Sequence, residues 1–404
     1  MITLAGHGKV SLHNGSFLRA KELLESALVM CRERRYARKE FDLHVQLARA
    51  LCTLHQYEDA HSTLLSAQDL IRPGPTERAL QAQLACSFGE LSLAKGDYAD
   101  ALEHYRAQGE LLMGEERISA TRGTVLCLWL LGSSRQAVRI LDALEEELAE
   151  EHASHLLVSL MELRARLYMH GGRLTDAIHV QELRLDLTRR RADRPAEMRA
   201  LADLADCYLA EGLGDQALMN SDQSLMIARD MEHDLGECWA TLGLARSYLC
   251  LGEYENCIDT CDQVDQIYRE CVEISAECAL VRARAHLQLG DTENSVRHAR
   301  ACIDLATYHP VLLASGTAVL GQALPERQAL EPLASACSQF EMLLLQQSPV
   351  FVYEVASPLQ EAVYARLFSL QSSTERIWVQ ERLLRWERAR FVYTELYLIQ
   401  VFSR

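Results

Sequence analysis

Through most of this chain apolar residues recur at intervals of three and four, the spacing that lines one face of a helix, as in Leu201, Leu204, Ala205 and Tyr208. The helical stretches come in pairs, and a turn residue separates the members of each pair. Those turn residues are Gly15, His55, Gly96, Gly132, Gly172, Gly212, Gly252 and Gly290, at steps of 40, 41, 36, 40, 40, 40 and 38 residues. Self-similarity at such a period predicts an array that grows by stacking units rather than by enlarging one core.

Two columns of small residues keep step with the turns. Seven residues before each turn stand Gly8, Ala48, Gly89, Val125, Ala165, Ala205, Ala245 and Ala283, of which only Val125 is bulky. Five residues after it stand Ala20, Ala60, Ala101, Ala137, Ala177, Ala217, Cys257 and Ser295. A glycine at the end of the first helix supplies the left-handed backbone that reverses the chain without steric cost. Small residues on either side let the paired helices approach closely. Aromatic residues two positions after several turns (Phe17, Tyr57, Tyr98, Tyr254) are placed to cover the seam.

The stretches "FGELSLAKGDYADALEHY" and "WATLGLARSYLCLGEYENC" resemble tetratricopeptide repeats, with small residue, turn glycine, aromatic and second small residue in that order. The resemblance covers residues 1–308 in eight units. Its period is longer than the usual ~34 residues, and "SLMIARDMEHDLGECWATLGLA" is similar to the long-period arrays that serve as sensor arms of bacterial signalling ATPases and transcriptional activators. The resemblance implies an all-α fold: an α-α superhelix of eight to nine helix-turn-helix repeats closed by a C-terminal helical cap.

The expected organisation is a repeat region over residues 1–347 followed by a distinct segment over 348–404. A degenerate ninth unit spans 311–347, with Pro325 in "LPERQALEPL" where the glycine turn stood. Residues 349–404 hold ten of the 26 aromatic residues of the chain, and a capping-box pattern from Ser372 to Glu375 opens a long helix there. This segment is expected to cover the last apolar face of the array or to form a docking surface. At the other end the chain opens directly on a repeat, so an upstream effector domain or a partner over that face is a further expectation.

Charge and composition narrow the function. With 41 basic against 57 acidic residues the net charge is −16, which repels phosphate backbones, and no nucleic-acid partner is expected. Apolar runs such as "VLCLWLL" are far shorter than the roughly 20 residues a membrane span needs, and no membrane partner is expected. Thirteen cysteines without regular spacing, and an opening "MITLAGHGKVSLHNG" that lacks the features of a secretory signal, point to a reducing, cytoplasmic setting.

Candidate chemistry is sparse. Cys250, Cys257 and Cys261 fall within twelve positions, but Cys257 occupies the second small-residue column and Cys261 matches Leu24, Leu64 and Leu141. They are therefore read as core residues rather than metal ligands, since the paired short spacing of a zinc site is absent. "GHGKVS" lacks both the upstream glycine and the Ser or Thr after the lysine that a phosphate loop needs. The basic cluster "RERRYARK", residues 32–39, falls at a helix end, where cations suit the helix dipole. No motif for catalysis, cofactor or metal stands out, and the chain is expected to be non-enzymatic and free of cofactors.

Binding is expected in the concave groove that the resemblance implies, lined by the first helix of each repeat. The residue after the first small site reads Lys9, Arg49, Glu90, Leu126, Arg166, Asp206, Arg246 and Arg284, five of eight basic. Three positions on, the column is apolar: Leu12, Cys52, Leu93, Trp129, Met169, Leu209, Leu249 and Leu287. Lys9, Arg49, Arg166, Arg246 and Arg284, with Trp129 as a large anchor, are the candidate contacts for a peptide or protein carrying acidic and apolar residues. Two alternatives stay open. The apolar column packs the repeats while the arginines pair with nearby acids, or the groove belongs to a regulatory sensor that signals to an effector. The carboxylate-clamp subtype is set aside, because none of the four asparagines falls in the groove column. Oligomeric state is not written in these patterns.

Overall fold

The computed structural model describes residues 2–345, apart from 14–15, 34–35, 72–76, 132, 152–153, 171–172, 268–270 and 307–308, together with 362–363, 365–366 and 369. Eighteen helices and no strand are found among the described residues. In order they are α1 (Ile2–His13), α2 (Phe17–Glu33), α3 (Ala37–Thr53), α4 (Tyr57–Gln68), α5 (Arg78–Lys95), α6 (Tyr98–Leu111), α7 (Gly114–Leu130), α8 (Ser134–Glu151) and α9 (Ser154–His170). There follow α10 (Leu174–Arg190), α11 (Arg194–Glu211), α12 (Gly214–Asp230), α13 (Asp234–Leu251), α14 (Tyr254–Ile267), α15 (Val272–Gln288), α16 (Thr292–Leu305), α17 (Pro310–Ala323) and α18 (Glu326–Leu345). None is long and apolar enough to cross a membrane. The chain divides into two compact units, Met1–Leu160 with Glu232–Leu235, and Met161–Met231 with Gly236–Arg404.

Among the described turn residues the chain reverses the way the column predicts. Gly96, Gly212, Gly252 and Gly290 have φ of 84°, 79°, 79° and 77°. At Gly96 the cap is doubly bonded: Asp97 N–H donates to the Ser92 carbonyl at 2.8 Å and Gly96 N–H to Leu93 at 3.1 Å, so two of the orphan carbonyls at the helix end are satisfied. His55, the one non-glycine in the column, adopts the same left-handed backbone at φ 56°, and its Nδ1 lies 2.7 Å from the Tyr57 hydroxyl. Ala192, in the turn from α10 to α11, also sits at φ 53° with the same pair of cap bonds, from Asp193 N–H to Thr188 and Ala192 N–H to Arg189. An L-residue there strains against its own Cβ. Ala192→Gly is therefore expected to stabilise the fold by about 0.5–1 kcal/mol, read as a rise in the urea midpoint at constant slope.

Both small-residue columns are in the core. Gly8, Gly89 and every alanine of the first column are buried, as is Val125, and every member of the second column is fully buried. The two columns meet at the last repeat, where the Ser295 hydroxyl donates to the Ala283 carbonyl at 2.8 Å. A Cβ on Gly8 would come within 2.9 Å of the Leu24 side chain, so glycine there is set by the leucine of the facing helix. In the first unit successive first helices touch one another, α1 with α3, α3 with α5 and α5 with α7, and a cluster around Leu24, Phe41, Leu51 and Leu64 fills the space between the pairs. In the second unit α15 touches α17 in the same way, and Ala279, Ala283, Ala299, Cys302 and Val319 form one of its clusters.

The expected ninth pair appears as α17 and α18, with Leu324 at the hinge in extended backbone rather than a left-handed residue. The expected boundary near 348, and almost all of the aromatic segment to 404, lie outside the described residues. Two of its described residues rest on the last pair. Val363 is buried in a cluster with Ala329, Leu333 and Phe340, and the Arg366 Nη2 donates to the Leu324 carbonyl at 3.0 Å.

Cys257 and Cys261 are fully buried, as core residues should be. Cys250 is a correction: it is exposed, one residue before the end of α13. Burial pushes the thiols of Cys52, Cys127 and Cys302 up to about 12, so these side chains behave as small apolar groups at neutral pH.

Candidate partner-binding face

The candidate contacts sit on the first helix of their repeats, one residue past the small site, where the close approach of the pair fixes the backbone that carries them. In the first unit Lys9 is exposed on α1. Arg49 on α3 reaches forward to the next first helix and pairs with Glu90 on α5, Nη2 to Oε1 at 3.1 Å. Glu90 holds the Arg49 guanidinium even more firmly protonated than usual. Both partners belong to the same column, one repeat apart.

Within the second unit, residues of the column pair as a ladder of their own. Arg166 on α9 lies 3.2 Å from Glu162 and 4.0 Å from Asp203 of α11. Asp206 on α11 takes Arg246 of α13 at 2.9 Å, and Arg246 reaches on to Glu277 of α15 at 3.5 Å. The arginines at 49, 166 and 246 thus serve nearby acids first. Among the arginines of the column, Arg284 on α15 alone has no carboxylate of the described residues within ion-pair distance.

Beneath Arg166 lies a group that periodicity alone did not single out. Arg184 of α10 is 1% exposed and directs Nη2 to Glu162 at 3.1 Å, and Nη1 to Asp203 at 2.5 Å and to Gln181 at 3.0 Å. Burial raises the Asp203 carboxyl above the ordinary carboxylate range, against the pull of Arg184 and Arg166. Two guanidinia and two carboxylates therefore share one site, half buried on the first helices and closed off from water on the second. A signal was available: the positions equivalent to Arg184 are Ala27, Ala67, Gln108, Leu144, Ser224, Val264 and Cys302, none of them charged.

The apolar column divides in two. Leu12, Cys52, Leu93, Leu209, Leu249 and Leu287 are only half-buried, leaving apolar surface on the face that carries the charged ladder. Trp129 and Met169 are buried at 2% and 7% exposure. Trp129 is therefore corrected from a partner anchor to a core residue, since its indole is already covered by the fold. Met169 packs with Ala177 and Cys207, its Sδ 4.0 Å from the Cys207 Sγ. The basic cluster at 32–39 is tied locally: Arg32 pairs with Glu40 at 3.0 Å, and Lys39 lies over the Tyr36 ring at 5.4 Å from its centre.

No protein-family model matches the sequence, and no curated protein matches it either. Solved structures do. A Rap protein complexed with competence and sporulation factor is similar at a TM-score of 0.50 and 14% identity, over 85% of this chain and 99% of that one. A signal transduction ATPase with numerous domains from Pyrococcus horikoshii, with a tetratricopeptide repeat sensor, is similar at a TM-score of 0.53 and 16% identity, over 84% of this chain and 55% of that protein. This chain therefore spans about half the length of that ATPase. With consecutive helix pairs, left-handed hinges and two buried small-residue columns repeating about every 40 positions, the chain has the fold of a tetratricopeptide-repeat solenoid.

Proposed function

We propose that this chain is a non-enzymatic interaction module that takes a peptide or protein segment against the face of its first helices. The observation that carries the reading is made in each unit by itself: half-buried Leu12, Cys52 and Leu93 accompany the Arg49–Glu90 pair in the first, and half-buried Leu209, Leu249 and Leu287 accompany the Asp206–Arg246 pair in the second. Half-exposed leucines at one-repeat spacing offer apolar anchor points, while the flanking charges set register and exclude poorly matched partners. Support also comes from the Rap protein of the same fold, whose structure holds competence and sporulation factor.

The test uses the apolar column, because changing Arg166 or Arg246 would also break ion pairs within the fold. The intact chain and its Leu209→Gln/Leu249→Gln variant are immobilised and exposed to lysate of the source organism, with captured proteins counted by quantitative mass spectrometry. A set of proteins depleted at least tenfold on the variant, at matched thermal stability, is the expected result. Equal capture by the two would remove the first-helix face as the binding surface.

A second reading is a sensor arm, favoured by the similarity to the repeat sensor of the Pyrococcus ATPase. In that case the bound partner changes the dimensions of the chain and passes the change to an effector. Small-angle scattering with and without a captured partner separates the two, because a plain scaffold keeps its radius of gyration.

A further inference from the structure

Along the second unit the column that follows the small site alternates in sign, Arg166, Asp206, Arg246, so that each charge finds its opposite on a neighbouring first helix. The alternation breaks at Arg284. An acid is due there, and an arginine stands in its place. Glu277 of the same helix is already engaged with Arg246. The next first helix, α17, brings no acid, for the residue in the corresponding place is Val319, fully buried against Ala283 and Cys302. Arg284 is thus a partly buried cation beside a second cation, with no carboxylate of the described residues in ion-pair reach. Lys9 also lacks an acid, but it is exposed and water solvates it.

A guanidinium that has lost part of its hydration and gained no counter-ion is costly in a folded protein, and an arriving anion relieves that cost. The physical state of Arg284 agrees: burial first, and Arg246 second, hold its guanidinium below the ordinary arginine range. One helical turn further along α13 and α15 stand the half-buried Leu249 and Leu287. The site therefore joins one planar cation without a carboxylate partner to two apolar side chains.

We infer that Arg284 is the carboxylate subsite of the partner face, receiving an aspartate or glutamate side chain of a bound peptide whose neighbouring apolar residues rest on Leu249 and Leu287. This deepens, and rests on, the proposed function. It also moves acid recognition from a whole row of cations to one position, because Arg49, Arg166 and Arg246 are occupied within the fold. A guanidinium offers a carboxylate two parallel hydrogen bonds, which a glutamine at the same place cannot.

The experiment selects binders from a random twelve-residue peptide library displayed on phage, once on the intact chain and once on Arg284→Gln. Peptides recovered on the intact chain are expected to share one acidic position among apolar ones. A synthetic peptide of that consensus should lose at least tenfold in affinity when its acid becomes the amide, lose as much on Arg284→Gln, and lose no more when both changes are combined. Binders without a shared acid, or indifferent to Arg284→Gln, would overturn the subsite while leaving the partner face standing. Failure of the intact chain to yield any binder would take down the face and the subsite together. Thermal stability provides a second arm. Arg284→Gln is expected to match or exceed the intact chain, whereas Arg246→Gln, which removes the ion pairs to Asp206 and Glu277, should melt lower. Equal losses in the two variants would mean that a carboxylate of the chain already neutralises Arg284, and would sink the inference.

Discussion

Arg184→Leu is expected to lower the unfolding free energy by about 3–5 kcal/mol, measured by urea denaturation at neutral pH. The guanidinium is 1% exposed and bonds Glu162, Asp203 and Gln181 at 2.5–3.1 Å. Leucine fills much of its volume, so packing is not what is lost. What remains are two carboxylates that have lost their buried cation, and Arg166 beside them is 45% exposed at its side chain and 4.0 Å from Asp203. An uncompensated buried carboxylate either takes up a proton or drags water inward, and both cost stability. The origin of the loss can be isolated. Adding Glu162→Gln and Asp203→Asn to Arg184→Leu removes the stranded charges and should restore at least half of the loss. Arg184→Lys should fall between, because one ammonium cannot span both acids and Gln181 with the fixed fork of a guanidinium. A loss under about 1 kcal/mol for Arg184→Leu would mean that water reaches the site and that the network is a surface feature.

That group also marks the limit of what can be read from the sequence. The repeat, its hinges and its two small columns were legible because each is enforced once per unit by the same steric need, and eight copies make the need visible. Gly96, Gly212, Gly252 and Gly290 all take the left-handed backbone that the column implies. His55 shows that the need is conformational rather than chemical, since it adopts the same backbone without being glycine. Arg184 has no counterpart in the other repeats. A feature made once, from residues on three helices, leaves no periodic trace beyond one charge in an uncharged column.

The column of cations was legible in the sequence, and its pairing was not. Periodicity put Arg49, Arg166, Arg246 and Arg284 in one column, but it could not say that the acids at 90 and 206 in that same column would reach across one repeat to two of them. Trp129 shows the complementary failure. The apolar column looks uniform in sequence, yet its members range from fully covered to half-open, because cover depends on how large the side chains of the neighbouring repeat are. Leu12, Cys52 and Leu287 stay half-buried while Trp129 does not. Type and spacing specify direction, and exposure is settled by the neighbours.

Tyr105 shows how strongly neighbours act, and Gly123→Val is expected to cost about 3 kcal/mol on its account. The ring projects from α6 into the space between α5 and α7 and is 7% exposed. A Cβ on Gly123 would fall 2.5 Å from its Cδ1, and one on Gly89 3.0 Å from its Cζ. The two glycines therefore both make room for the ring. The equivalent positions in other repeats carry Leu24, Leu64, Leu141, Gln181, Ser221, Cys261 and Ala299, and the larger tyrosine fits only because both facing helices have given up their Cβ. A valine at 123 must expel the ring or part the helices. Alanine, at about 1–2 kcal/mol, should cost less than valine despite the same clash, since ring displacement is partly offset by the ~1 kcal/mol that alanine gains over glycine in a helix. Gly109, on α6 with nothing within 4 Å of a Cβ, provides the control, and Gly109→Ala should stabilise by about 0.5–1 kcal/mol. The cause is tested by a double-mutant cycle with Tyr105→Leu. If the clash is with the ring, the two changes should couple by at least ~1 kcal/mol in the direction of rescue. Strict additivity would instead place the cost in the α7 backbone and leave Tyr105 an ordinary core residue.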